Sequence, residues 1–212
     1  MSDPVADPGV VAAGLATTAT AADGDPVVAV FASSAADVDP HYRELADELG
    51  TRIGTGGWTL VYGGTLTGMM RSLADSCRAA GGRVVAVTLQ QFVDVGIHDV
   101  DADELVVTSD LAERKAVLLG SADAFVVLPG GFGTLDEAIE VLAWRRVAGL
   151  ERPLVFLDHG GFWSPFLGQV EVMAREGMLA RGDARAPSHL GYEVAADPAA
   201  VTTFLRHHFA GE

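Results

Sequence analysis

Short, almost uninterrupted apolar runs alternate with helix-period segments along most of this chain, and that alternation narrows the possible folds sharply. Val27–Ala32, Trp58–Tyr62, Arg83–Thr88, Glu104–Thr108, Ala124–Leu128 and Pro153–Leu157 read as strands, with a last short strand expected near Gly191–Ala195. Continuous apolar runs of this length mark strands covered on both faces, as in parallel sheets. Between them, Tyr42, Leu45, Leu49 and Ile53 recur at i, i+3, i+7 and i+11, and Met69, Leu73 and Cys77 at i, i+4 and i+8. Leu135, Ile139 and Leu142 follow the same helical rule, as do Phe162, Phe166, Val170 and Met173. Such alternation builds βαβ units. It predicts a Rossmann-like, doubly wound α/β fold: a parallel sheet of about six or seven strands with helices on both faces.

The chain has 212 residues, 49% of them hydrophobic, enough for one large core. We expect a single nucleotide-binding catalytic domain over residues 26–212, with no internal repeat or linker, preceded by a disordered tail over 1–25. The tail is rich in Ala, Thr, Asp, Gly and Pro, and Asp3 and Asp7 stand where a signal peptide needs positive charge. No apolar run of roughly 18 residues suggests a membrane span. Cys77 is the single cysteine, so no internal disulfide or cysteine zinc site is available, and a reduced cytoplasmic setting is the simplest reading. The net charge of -15 argues against a nucleic-acid partner, which needs a basic footprint. Phosphate can still bind where basic side chains and backbone amides gather locally.

Ligands of open parallel sheets sit beyond the carboxyl ends of the strands. Three strand-to-helix turns therefore matter most. The first carries Ser33 and Ser34, the second reads Tyr62-Gly63-Gly64-Thr65-Leu66-Thr67-Gly68, and the third Pro129-Gly130-Gly131-Phe132-Gly133-Thr134. Glycine lets backbone approach a ligand, and the helix that follows offers unpaired N–H groups to an anion. Ordinary tight turns are the competing reading, evenly matched for the second turn and weaker for the third. The third turn lacks the last glycine of a dinucleotide fingerprint and the Gly-Lys-Ser/Thr of a P-loop.

Two further elements carry charge into this region. Thr134-Leu135-Asp136-Glu137 fits a capping box, in which Glu137 reaches back to the helix start; alternatively Glu137 faces the cleft as an acid, base or cation stabiliser. Asp110-Leu111-Ala112-Glu113 also resembles a helix start. At ~100° per residue, Lys115 then falls between Leu111 and Leu119 on the apolar face, with Arg114 at its edge. Arg114 either meets a bound nucleotide, or forms a structural ion pair with a core-side carboxylate or snorkels to solvent along its stem. The histidines at 41, 98, 159, 189, 207 and 208 show no metal spacing, and His207-His208 reads as a solvated end.

Together these residues resemble the LOG (Lonely Guy) family of cytokinin-activating nucleoside monophosphate phosphoribohydrolases, also labelled possible lysine decarboxylases. The resemblance runs from about Pro26 to Leu205. Pro129–Glu137 matches the family signature PGGxGTxxE at every fixed position. Glu113-Arg114-Lys115 matches its upstream Arg-Lys element, and Tyr62-Gly63-Gly64 with Gly68-Met69-Met70 its glycine turn. The resemblance implies a homodimer that hydrolyses the N-glycosidic bond of a nucleoside 5'-monophosphate to a free base and ribose 5-phosphate, with no cofactor and no metal. It makes Arg114 and Glu137 the catalytic pair. It assigns Ser33, Ser34, Gly63, Gly64, Thr65, Lys115, Pro129, Gly130, Gly131, Gly133 and Thr134 to substrate and phosphate binding.

This sequence departs from the pattern at Thr65, which replaces a third glycine, at Arg71, at Thr88-Leu89-Gln90-Gln91, which lacks a proline, and at Leu111. Those positions put the identity of the base in doubt rather than the reaction class. The second functional reading is a nucleotide or cofactor carrier on the same fold without turnover; retention of both Arg114 and Glu137 favours the enzyme. A decarboxylase would need pyridoxal phosphate on a lysine, and Lys115 is the chain's only one.

Overall fold

A computed structural model describes residues 24–148, 150–179 and 190–211. The expected tail lies outside the described residues as far as position 23, as does His189. Strands β1 (Val27–Phe31), β2 (Thr59–Tyr62), β3 (Val84–Leu89), β4 (Glu104–Thr108), β5 (Ala124–Val127), β6 (Leu154–Leu157) and β7 (Glu193–Ala195) fall within a residue or two of the expected runs. They form one seven-stranded sheet in the order β4-β3-β2-β1-β5-β6-β7, and every pairing is parallel. The order reverses between β1 and β5, so the crevice of the doubly wound fold opens above the carboxyl ends of those two strands.

Helices α1 (Pro40–Thr55), α2 (Gly68–Ala79), α3 (Gln90–Asp94), α4 (Leu111–Ser121), α5 (Phe132–Ala148), α6 (Ser164–Arg175) and α7 (Pro198–Ala210) connect the strands. One core layer joins Val28, Val30, Leu60 and Tyr62 to Leu49, Ile53, Leu73 and Cys77 of α1 and α2 and to Val201 and Leu205 of α7. The other joins Ala29, Phe31, Val61 and Phe125 to Leu118 of α4, Ala138 and Val141 of α5, and Leu167 and Val170 of α6. Strand residues thus alternate between two covered faces, which is why β1, β2, β3, β5 and β6 are apolar at nearly every position. The expected stripe of α1 is buried from Leu45 onward, and that of α2 throughout.

Two stripes differ from expectation. In α5, Ile139 is exposed and the inward positions are Ala138 and Val141, with Leu135 and Leu142 half-buried. Phe162 precedes α6, Met173 is exposed, and Leu167, Val170 and Ala174 are the buried set. Both errors share a cause: exposed apolar residues on these helices imitate the period of a core face.

The described helices include none long and apolar enough to cross a membrane. His207 and His208 are exposed at the end of α7.

Candidate active site

A cleft of about 570 Å³ lies over the switch point, lined from the turns after β1, β2 and β5 and from the first turns of α4 and α5. Its size falls in the range of small-molecule sites, roughly 300–1,000 Å³. At its floor are two buried charges. Arg114 is 8% exposed and Glu137 5%. Arg114 Nη1 donates to Glu137 Oε1 at 3.1 Å, while its Nε donates to Val87 O at 2.9 Å and its Nη2 to Gly63 O at 3.2 Å.

The capping-box reading of Glu137 is therefore corrected. α5 begins at Phe132, so Thr134 stands inside the first turn and Glu137 points to Arg114 instead of reaching back. The capping start at Asp110 does form: Asp110 Oδ1 accepts from Glu113 N–H at 2.8 Å, and Glu113 Oε2 accepts from Ser109 N–H at 2.7 Å. It sets α4 so that Arg114, Val117 and Leu118 turn inward. This corrects the expected positions of the two cations. Arg114 occupies the inward face, Leu111 is exposed, and Lys115 is half-buried at the rim. The ion-pair alternative for Arg114 holds, and its core-side carboxylate partner, Glu137, is itself a cleft residue.

Electrostatics separates the two members of the pair. Burial pushes the Glu137 carboxyl above the usual glutamate range, against the opposing pull of Arg114. Lys115 lines the cleft, but its Nζ is held by Asp136 at 3.0 Å and Glu140 at 2.7 Å. Those carboxylates, Glu140 foremost, raise its pKa. A lysine neutralised twice over is a weaker phosphate ligand than its sequence position implies.

The glycine turns divide their labour. Gly131, Gly133 and Thr134 line the cleft at the start of α5, whose first amides have no intrahelical acceptor; Leu135 N–H is bonded, to Gly131 O at 3.0 Å. Pro129 and Gly130 stand behind them. A Cβ at Gly130 would collide with Thr134 Oγ1, so the glycine makes room for that side chain. The second turn works differently from expectation. The Met69 and Met70 N–H groups of α2 both donate to Ser33 O, at 3.0 and 3.3 Å, so a protein carbonyl already occupies that helix start. Ser33, Ser34 and Thr65 line the cleft, whereas Gly63 and Gly64 lie beneath it. Gly63 holds Arg114 by its carbonyl, and a Cβ there would meet Arg114 Nη2. Gly63→Ala should therefore push the guanidinium off this carbonyl and strain its pairing with Glu137. We expect a lower melting temperature, though a smaller loss than full removal of Arg114 would cause; calorimetry of the two variants side by side checks this.

Met70, Phe92, Ile97 and Asp136 also line the cleft; the sequence motifs include Met70 and Asp136 but assign none of the four to substrate. Arg71 is an exposed helix residue paired with Asp75 at 3.0 Å. Among the described residues, no group of three or more His, Cys, Asp or Glu side chains is placed to hold a metal.

A family model described as possible lysine decarboxylase matches residues 70–198. The chain is 38% identical over 154 residues to a cytokinin riboside 5'-monophosphate phosphoribohydrolase of Mycobacterium marinum, spanning 73% of this chain and 82% of that protein. The chain belongs to the LOG family. A second LOG relative, the cytokinin riboside 5'-monophosphate phosphoribohydrolase of Mycobacterium tuberculosis, is 41% identical over 138 residues, 65% of this chain and 73% of that one. The molybdenum cofactor carrier protein of Chlamydomonas reinhardtii shares the fold, with a TM-score of 0.66 and 23% identity over 88% of this chain and 99% of its own. Arg114 and Glu137, which match the family's paired motifs, are thus brought together although they lie on different helices.

Proposed function

We propose that this LOG-family chain is a nucleoside 5'-monophosphate phosphoribohydrolase whose chemistry is carried by Arg114 and Glu137. The observation behind the assignment is the buried Glu137 carboxylate, 3.1 Å from Arg114 at the floor of a cleft that also exposes the start of α5. Breaking a ribosyl C1'–N bond builds oxocarbenium character on the sugar. A carboxylate shielded from water stabilises that charge and orients the attacking water. Arg114 fixes the nucleotide and assists the departing base electrostatically. The amides of Gly131, Gly133 and Thr134 receive the 5'-phosphate, with the hydroxyls of Ser33, Ser34 and Thr65 on the facing wall. Anchoring the phosphate lets binding energy remote from C1' serve the reacting bond. No step calls on a metal or cofactor.

The reading includes residues 26–212 acting as one catalytic domain, a cytoplasmic setting, and a homodimer. Phe132 is 92% exposed, and Ile139 and Val147 continue an apolar stripe along the outside of α5, a surface suited to a second copy.

The test is chromatographic detection of base released from AMP, GMP, CMP, UMP and isopentenyl-AMP, with the free nucleosides as controls. Base from a monophosphate but not from its nucleoside is the expected result. Thermal stabilisation by one of these ligands without release of any base points instead to the carrier. The pH profile tests Glu137 directly. Its ionised form is the active one, and its pKa is raised by burial. kcat/KM should therefore rise with pH along an acid limb lying above the ordinary glutamate value of about 4.3. A limb at or below that value counts against the assignment.

A further inference from the structure

A buried polar cluster beside the cleft takes no part in the chemistry above. Asp99 is 1% exposed. Its Oδ2 accepts from Tyr62 Oη at 2.6 Å and from Arg78 Nη1 at 2.7 Å, and its Oδ1 accepts from Asp101 N–H at 3.0 Å. Arg78 is itself held by Asp75 at 2.6 Å. A buried carboxylate is costly unless its oxygens are met, and here both are. Burial alone would push the Asp99 carboxyl up, but the donors from Tyr62, Arg78 and Asp101 hold it below the usual range, so it stays charged and engaged.

The position of this cluster gives it a consequence for the cleft. Tyr62 ends β2, Arg78 belongs to α2, and Asp99 lies midway along the loop between α3 and β4. That loop runs antiparallel against the second glycine turn: Asp99 N–H donates to Gly64 O at 2.8 Å and Leu66 N–H to Ile97 O at 3.1 Å, with Thr65 bridged to His98. Phe92 and Ile97, on α3 and the loop, line the cleft, while Gly63, next to Tyr62, holds Arg114. α3 buries none of its residues and Val95 is exposed, so α3 itself supplies little anchorage. Asp99 fastens wall and turn to one another.

We infer that Asp99, engaged by Tyr62 and Arg78, is a positioning residue that holds the Phe92–Ile97 wall over the cleft and thereby sets affinity for the base of the nucleotide. The inference rests on the phosphoribohydrolase reading. Phe92 and Ile97 offer apolar surface, which suits a planar base and gives a phosphate nothing to bind. Loosening the wall weakens capture of the base, while the phosphoribosyl end keeps the amides at the start of α5, which this cluster does not touch.

Asp99→Asn and the gentler Tyr62→Phe, which removes one donor at nearly constant shape, test this together. With AMP or whichever monophosphate is cleaved fastest, KM should rise about tenfold in Asp99→Asn and about threefold in Tyr62→Phe, with kcat within about twofold. The inhibition constant of ribose 5-phosphate, which carries no base, should move far less than KM. Hydrogen exchange of amides 92–101 should accelerate in both variants. An unchanged KM, a KM and a ribose 5-phosphate constant that rise together, or wild-type exchange over 92–101 in Tyr62→Phe would each overturn the assignment. If wild-type protein releases no base, the catalytic reading fails on that result alone, and exchange at 92–101 still decides whether Asp99 pins the wall.

Discussion

Glu137→Gln should slow base release by about a thousandfold or more, which corresponds to about 4 kcal/mol of lost transition-state stabilisation. The substitution keeps shape and hydrogen-bonding reach but removes the charge that faces the developing oxocarbenium. Stability should fall less than when Arg114 is the partner removed, for a reason visible in the site. The folded pKa of Glu137 is raised by burial. A carboxyl of that kind favours the fold most below its unfolded pKa and loses that contribution as pH rises through the folded value. The neutral amide lifts that burial cost. Arg114 loses its counter-charge, but it keeps the Val87 and Gly63 carbonyls and has the amide oxygen as acceptor. Calorimetry should place the melting temperature below wild type, by about 2–4 °C for each kcal/mol lost, and above that of Arg114→Ala. A folded Glu137→Gln protein with near wild-type kcat would remove Glu137 from the mechanism.

Arg114→Ala should fail in two ways at once. Base release from the monophosphate should fall by about two orders of magnitude or more, because the guanidinium proposed to fix the nucleotide is gone. The fold also suffers, since Glu137 is left buried without its counter-charge and the Val87 and Gly63 carbonyls lose their donor. Breaking a buried pair from one side costs about 3–5 kcal/mol, or roughly 6–20 °C in a chain of this size. The double variant with Glu137→Gln separates these effects. It should recover much of the lost stability, because the orphaned charge has been removed, and none of the activity. Unchanged kinetics in Arg114→Ala would return Arg114 to a purely structural role.

The sheet was legible in advance because each inner strand is buried on both faces and so leaves a solid apolar run, from Val27 to Phe31 for example. The third glycine turn was legible too, since its contribution is local backbone. What escaped was set by tertiary contact. The spacing of Ile139 predicts a core position, yet it lies on the outer side of α5. The helical spacing of Leu111 and Leu119 predicts an apolar face around Lys115; the cleft sits there instead, which leaves Leu111 exposed and turns Arg114 inward. Glu137 matched a capping box in sequence, and only the packing of α4 beside α5 chose between cap and cleft. Tyr62, Arg78 and Asp99 share no local pattern at all. They meet because β2, α2 and the loop after α3 converge, which no window of neighbouring residues reports.

The lining of the cleft begins at Ala32 and ends at Glu137. Beyond α5, the described residues, β6, β7, α6 and α7, widen the sheet and cover it without supplying any of that lining. Duties are thus separated along the polypeptide. Among the described residues, changes beyond α5 act on how firmly the scaffold stands, whereas changes at the cleft-lining positions between Ala32 and Glu137 act also on what the cleft can hold. For a lineage exploring new nucleotides this is a permissive layout: the far flank can vary to restore stability lost at the cleft, without altering the surface that meets the substrate.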